Sequence, residues 1–308
     1  MEVSVIVCTR NRAASLERCL ASIAADPSIV AAEVVVVDNA SSDGTALVAQ
    51  GASRLSPRPF SVIREEAPGL SRARNLGVRH ARGSLLLFTD DDVEVRPGWI
   101  AALAAPFDDS RVGAVGGRIV PTFVCARPEW LTGDSAFFPL TLHDLGVAPF
   151  RFTGGHLPTG ANMAIRANLL PSDPFDVCLG HTGKLALGFD EFELLEKIAA
   201  DHVVVYAPGA VVCHMLDAGR VTVPRARRTL FQLGFGMGRW QRRRGGAVPT
   251  LARSVVRTAR AWRDVRRARD LPTELRAWQE FGKQMEWLFG TRVPWLAAWC
   301  AERLAGRG

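Results

Sequence analysis

Leu85-Leu86-Leu87-Phe88-Thr89-Asp90-Asp91-Asp92 is the stretch on which the reading of this chain turns. Four uninterrupted apolar residues suit a strand buried on both faces, as in a parallel sheet, and they run straight into three carboxylates. Adjacent carboxylates repel, so a buried strand that delivers three of them calls for a compensating cation. Mg2+ or Mn2+ takes oxygen ligands and bridges carboxylate to phosphate, which fits a ligand carrying a diphosphate. An aspartate-rich turn alone is also a common solvated loop. Its place at the end of a buried strand favours metal binding, because open parallel sheets bind ligands beyond the carboxyl ends of their strands.

Upstream of this stretch the pattern alternates. Val3–Val7 and Val34–Val37 are β-branched runs, Phe60–Arg64 reads as a third strand, and Leu85–Phe88 as a fourth. Between them, Ser15–Ile23 has apolar residues at helical spacing, and helices are expected near Thr45–Gln50 and over Ser71–His80. This order predicts an α/β fold with a mostly parallel sheet flanked by helices. Asp38 ends the second strand as Asp90–Asp92 follow the fourth. Between Val112 and Asn168 the text becomes short strands, glycines, prolines and aromatics (Trp130, Phe137, Phe138, Phe152), which suits an acceptor-facing insertion. Asp190–Ala200 is expected to be helical, with Val203–Tyr206 and Gly209–His214 as two short strands. In such a helix Asp190 and Glu193 share a face and Glu191 points elsewhere.

No glycine-rich phosphate loop follows the first strand, where Thr9-Arg10-Asn11-Arg12 stands instead. Diphosphate charge must then be met by a metal and by basic side chains, for which Arg10, Arg72 and Arg74 are candidates. The six cysteines (Cys8, Cys19, Cys125, Cys178, Cys213, Cys300) form no C-x-x-C pair and read as reduced, mostly buried thiols. Met1–Cys8 enters a strand directly and its arginines follow, the reverse of an export signal, so a cytoplasmic protein is expected. At 308 residues, 48% hydrophobic and 22% charged, the chain is globular in composition. Its charge is uneven: up to Gly219 there are 18 basic and 25 acidic residues, and from Arg220 onward 20 basic and 6 acidic.

Seven segments in one unbroken order resemble the family-2 glycosyltransferases of GT-A fold. They are Val5–Arg12, Val36–Thr45, Gly69–Gly77, Phe88–Asp92, Pro158–Ala164, Asp190–Leu194 and Tyr206–His214. The resemblance covers roughly residues 2 to 220. It implies an inverting enzyme that moves a sugar from a nucleoside diphosphate donor to an acceptor hydroxyl, with Mn2+ or Mg2+ on the diphosphate. By position it places Thr9 and Asp38 at the nucleobase, with Arg10 and Asn11 on the same donor-binding loop. Arg74 and Asn75 would line the nucleotide pocket, Asp90 would approach ribose, Asp91 or Asp92 would hold the metal, and His214 would be a further metal ligand. Glu191 takes the place of the catalytic base. The sequence departs from the family pattern here, with Phe189 for the usual glycine and an Asp-Glu order, so Asp190 stays a second candidate. The implied division is a nucleotide-sugar half at 1–110, an acceptor and catalytic-base half of the same domain at 111–220, and a basic helical extension at 221–308.

The implied partners are a UDP- or dTDP-sugar in preference to a GDP-sugar, and a glycan, lipid-linked or small-molecule acceptor. A nucleotidyltransferase acting on a sugar phosphate is the alternative that shares the sheet and metal, but the glycine-rich loop it would use is missing. Nucleic-acid binding is suggested only by the basic tail, which carries no recognisable motif for it. In that tail Leu251, Val255, Ala259, Trp262 and Val265 follow helical spacing with arginines on the other face. Such a helix either lies on an anionic membrane surface, here the inner face, or packs on the rest of the chain.

Overall fold

Strand β1, Val3–Thr9, lies at the centre of the sheet because both its faces are apolar. Val3, Val5 and Val7 enter one core with Leu16, Cys19 and Ile23 of helix α1 (Ala13–Ala24). Ile6 enters the opposite core with Val35, Val37, Leu86 and Phe88. The computed structural model describes residues 2–131, 143–153, 156–182, 185–246 and 249–289; Phe137, Phe138 and Cys300 lie outside them.

The remaining elements are β2 Ala32–Asp38, α2 Thr45–Leu55, β3 Phe60–Arg64, α3 Leu70–His80, β4 Leu85–Asp90, β5 Val93–Val95, α4 Trp99–Ala104 and β6 Val112–Phe123. There follow β7 Phe150–Arg151, β8 Asn162–Arg166, β9 His181–Thr182, β10 Leu185–Ala186, α5 Asp190–Asp201, β11 Val203–Leu216, α6 Val223–Arg243, α7 Leu251–Arg267 and α8 Leu271–Phe289. The main sheet runs β3-β2-β1-β4-β8-β6-β11-β5, with β7 paired to β11. Its first four strands are parallel, as the alternating pattern predicts. From β4 to β8 and from β8 to β6 the pairing is antiparallel. This is the α/β, GT-A type of fold expected, with a helical C-terminal region.

Two local expectations change. Val112–Phe123 is a single long strand of the main sheet, not part of an insertion. Val203–Leu216 is likewise one strand, continuous through Pro208-Gly209, with β7 paired before those residues at Val205–Tyr206 and β5 after them at Val212–His214. The cysteines are also less uniform than expected: Cys19 and Cys213 are buried, while Cys178 is exposed.

The chain forms two compact units. The first comprises Met1–Thr122, Thr141–Val177 and Asp190–Met215, and holds the main sheet and helices α1 to α5. The second comprises Phe123–Leu140, Cys178–Phe189 and Leu216–Gly308. The last segment of the second unit begins at Leu216, close to the expected boundary at 220, and two internal segments group with it. Within that unit α6 and α8 run against each other at glycines: a Cβ on Gly234 would meet the Gln279 carbonyl oxygen at 1.8 Å, and one on Gly282 the Phe231 oxygen at 1.9 Å. Glu286 is buried there and paired with Arg239 and Arg242, so part of the tail's basic charge is neutralised internally.

Candidate active site

All the candidate residues lie in the first unit, at the carboxyl ends of β1, β2 and β4 and on the elements that face them. Parallel register sets Cys8 beside Asp90 and Thr9 beside Asp38, so the acidic strand ends share one edge. The β11–β5 ladder pairs His214 with Val93, and the Met215 N–H donates to the Asp92 carbonyl at 3.2 Å. These contacts carry His214 to Asp92.

The three aspartates are not equivalent. Asp91 is buried, accepts from Thr9 Oγ1 at 2.7 Å on Oδ2, and meets Arg12 Nη1 at 3.0 Å on Oδ1. Burial pushes the Asp91 carboxyl up to about 6, with the pull of Arg12 opposing and repulsion from Asp92 adding. Arg12 also pairs with Asp92. Asp92 Oδ1 lies 3.5 Å from His214 Nε2. Two ligands each about 2.1 Å from one ion, at angles between square and tetrahedral, stand roughly 3.0–3.4 Å apart. The Asp92–His214 separation stands about 0.1 Å beyond that range, so a slight closure would bring both atoms onto one divalent ion. Among the described residues no group of three or more His, Cys, Asp and Glu could hold a metal alone, so the rest of a coordination shell would be diphosphate and water oxygens.

Asp90 faces the other way, toward Arg74. The Arg74 guanidinium is buried and lies 2.7 Å from Glu191 Oε2, 3.4 Å from Asp190 Oδ2 and 3.8 Å from Asp90 Oδ1. It reaches this position because α3 presses closely on β1: a Cβ on Gly77 would meet Ile6 Cγ2 at 2.7 Å, and Arg74 lies one turn earlier on the same helix face. Gly160 completes the arrangement. A Cβ there would fall 2.0 Å from Arg74 Nη2 and 2.4 Å from Glu191 Oε2.

Asp190 and Glu191 differ in access. Asp190 Oδ2 also accepts from Ser71 Oγ at 2.8 Å, and its side chain is 1% exposed against 17% for Glu191. Burial raises the Glu191 carboxyl above the ordinary range, with Arg74 opposing and Asp190 adding. The expected sharing of a face by Asp190 and Glu193 is corrected here. Asp190 and Glu191 converge on one guanidinium, while Glu193 pairs with Lys197 at 3.2 Å. The Asp190 and Glu191 side chains both reach the guanidinium from the first turn of α5, which is helical from Asp190 onward.

Asp38 is buried, with Oδ1 accepting from the Ser41 N–H at 3.1 Å and Oδ2 meeting Arg64 Nη1 at 2.6 Å. Asn11 and Ala40 hold positive φ of 52° and 55°, so the two loops beside Asp38 are bent just beyond the ends of β1 and β2. Asn11 Oδ1 accepts from the Ser42 N–H at 2.7 Å and ties those loops together. Asn75 is occupied at both ends by the Phe175 backbone, donating at 2.9 Å and accepting at 2.9 Å, which makes it a brace in this structure. Arg10 and Arg72 are exposed. Sequence reasoning missed Arg12, Arg64, Ser71 and Gly160. Each except Arg64 stood inside a quoted motif, and nothing in one-dimensional spacing showed which carboxylate it would meet.

The model of glycosyl transferase family 2 matches residues 4–170. The chain belongs to that family. Glycosyltransferase AglE of Haloferax volcanii is 31% identical over 122 residues, covering 39% of this chain and 40% of AglE. The glucosyl-dolichyl phosphate glucuronosyltransferase of the same organism is 26% identical over 227 residues, covering 70% of each. Matches to the first relatives thus span well under half of their length. Among solved structures, the mannosyltransferase PcManGT from Pyrobaculum calidifontis in complex with GDP-Man and Mn2+ gives a TM-score of 0.52 at 21% identity, over 99% of this chain and 74% of that one. GalNAc-T7 with UDP, GalNAc and Mn2+ gives 0.56 at 20% identity, over 96% and 57%. The likeness to these solved structures shows the fold.

Proposed function

We propose that this chain is an inverting, divalent-metal-dependent glycosyltransferase acting on a nucleoside diphosphate sugar. The observation that carries the reading is Arg74. It gathers Asp90, from the end of β4, and Glu191, from the start of α5, around one buried guanidinium, and Asp92 with His214 stands beside Asp90 in sequence and register. Two acidic groups about a hundred residues apart thereby serve two sides of a single reaction.

On the leaving side, Asp92 and His214 would hold Mn2+ or Mg2+, which when bound neutralises charge developing on the departing diphosphate. Arg12, fixed between Asp91 and Asp92, adds positive charge at the same place. On the attacking side, Glu191 accepts the proton of an acceptor hydroxyl as its oxygen meets the anomeric carbon opposite the diphosphate. A carboxyl raised by burial holds a proton more strongly, which suits that step near neutral pH. Asp190, held by Ser71 and Arg74, orients the guanidinium and so Glu191. A nucleobase N–H would contact Asp38 Oδ2 in place of Arg64, beside Thr9 and the Asn11 loop. A uracil or thymine base is the proposed fit, and the named glucuronosyltransferase relative supports a lipid-linked acceptor.

A panel of UDP-, dTDP- and GDP-sugars, scored for nucleoside diphosphate release with Mn2+ or Mg2+, tests the reading. Release from one donor class, lost in Glu191→Gln while that donor still binds, is expected. Equal release after that substitution would remove the base assignment.

A further inference from the structure

The C-terminal unit carries a surface that the transfer reaction does not use. Helix α7 is held by one face: Ser254, Ala261 and Val265 are buried, and Trp262 packs edge-on against Trp278 of α8 with ring centroids 5.9 Å apart. The apolar spacing in the sequence therefore divides in the structure. Trp262 and Val265 turn inward, whereas Leu251 is 55%, Val255 50% and Val256 60% exposed. At 100° per residue these three, with exposed Ala252 and Ala259, form one continuous outward stripe over the first turns of the helix. Arg253, Arg257, Arg260, Arg263, Arg266 and Arg267 are all exposed and border or extend that stripe. The helix has one acidic residue, Asp264, which meets Arg263 at 4.0 Å.

We infer that the outward face of α7 docks on an anionic phospholipid surface. Exposed aliphatic side chains flanked on one side and followed along the helix by arginine match both layers of a lipid interface, the acyl boundary and the phosphate headgroups. A nucleic acid would satisfy the arginines and leave Leu251, Val255 and Val256 facing phosphate. A second copy of this chain would bring six arginines against six, a like-charge contact that opposes a two-fold dimer on this face. Binding lies on the surface, since among the described residues no helix is long and apolar enough to cross a membrane. The inference needs no particular donor or acceptor, so it stands or falls separately from the transfer chemistry.

Co-sedimentation of the full chain with vesicles tests it, comparing pure phosphatidylcholine with phosphatidylcholine containing one third phosphatidylglycerol, at low and high salt. Partition onto the anionic vesicles is expected, weakened by salt and about tenfold or more above the neutral ones. The double variant Val255→Asp, Val256→Asp should lose about tenfold in partition, and the triple variant Arg257→Gln, Arg260→Gln, Arg263→Gln should lose both affinity and salt dependence. All these side chains point outward, so unchanged melting temperatures are expected, and Val255→Ser, Val256→Ser replaces the aspartates should folding fail. Equal partition onto neutral vesicles, or none onto anionic ones, overturns the inference. Arginine-dependent binding that the valine variants leave intact also overturns it, in favour of a polyanion such as nucleic acid. A dimer that the valine variants dissociate overturns it in favour of self-association.

Discussion

Replacing Arg74 with Met keeps length and apolar bulk but removes the one cation that Glu191, Asp190 and Asp90 share, at 2.7, 3.4 and 3.8 Å. An opposite charge this close holds a carboxyl down by about 1–3 pKa units. Its loss should raise Glu191, already raised by burial, by that amount. A general base works in its charged form, so the acid limb of the kcat–pH profile, at saturating donor and acceptor, should move up by about 1–3 units. Below the new pKa, kcat should fall about tenfold per unit. Stability follows the same sign. A carboxyl whose folded pKa exceeds its unfolded value near 4.5 contributes stability that is complete below 4.5 and lost as pH rises through the folded value. Arg74→Met should therefore fall progressively below wild type as pH rises from the wild-type folded pKa of Glu191 through the shifted one. The full deficit should approach about 3–5 kcal/mol where the carboxylates are charged and uncompensated. Arg82→Met, which removes an exposed cation just past α3, is the charge-matched control and should shift neither curve. If Arg74→Met keeps the wild-type acid limb and the wild-type pH dependence of melting, the guanidinium does not govern Glu191 and the argument fails.

Glu191→Gln should cut transfer by roughly a hundredfold or more with donor affinity retained, and Asp190→Asn should lose less; the reverse order, read from single-turnover rates, would move the base one residue back. Asp92→Ala should abolish metal-stimulated turnover and weaken Mn2+ binding in the presence of nucleoside diphosphate by calorimetry, whereas full turnover in excess chelator would remove the metal assignment. Gly160→Ala should destabilise by about 1–3 kcal/mol, since a Cβ 2.0 Å from Arg74 Nη2 forces a buried and tethered side chain aside, and kcat should drop more than KM rises; wild-type kcat would show that Arg74 yields freely. Asp38→Ala should weaken nucleotide binding with little change in kcat at saturating donor, and unchanged affinity by calorimetry would refute its place at the base.

The parallel half of the sheet was legible because buried parallel strands write themselves as apolar runs, and Val3–Val7, Val34–Val37 and Leu85–Phe88 are nothing else. The strand ends named the candidate carboxylates for the same reason. What spacing did not reveal was pairing. Arg12 and Arg74 look alike in one dimension, yet one closes on Asp91 and Asp92 and the other on Asp90, Asp190 and Glu191. Asn75 read as a pocket residue, while its amide braces Phe175 from a hundred residues away. Pro208-Gly209 read as a break between strands, but β11 runs through it, paired on either side at Val205–Tyr206 and at Val212–His214. Long-range partners of this kind follow from tertiary approach and leave no periodic trace. Helix α7 shows the converse: its apolar period was correct, and only burial told which of those residues turn inward.

Helix α5 and strand β11 are joined by His202 alone, so Glu191 and His214 stand on one uninterrupted stretch of regular structure. The span between the proposed proton acceptor and the proposed metal ligand is then gauged by a helix and a strand, with no long loop in between to stretch. A bulkier sugar cannot be admitted by letting that span breathe. Under the proposed roles, tolerance for sugar size is then set by the side chains that line this gap and not by its length.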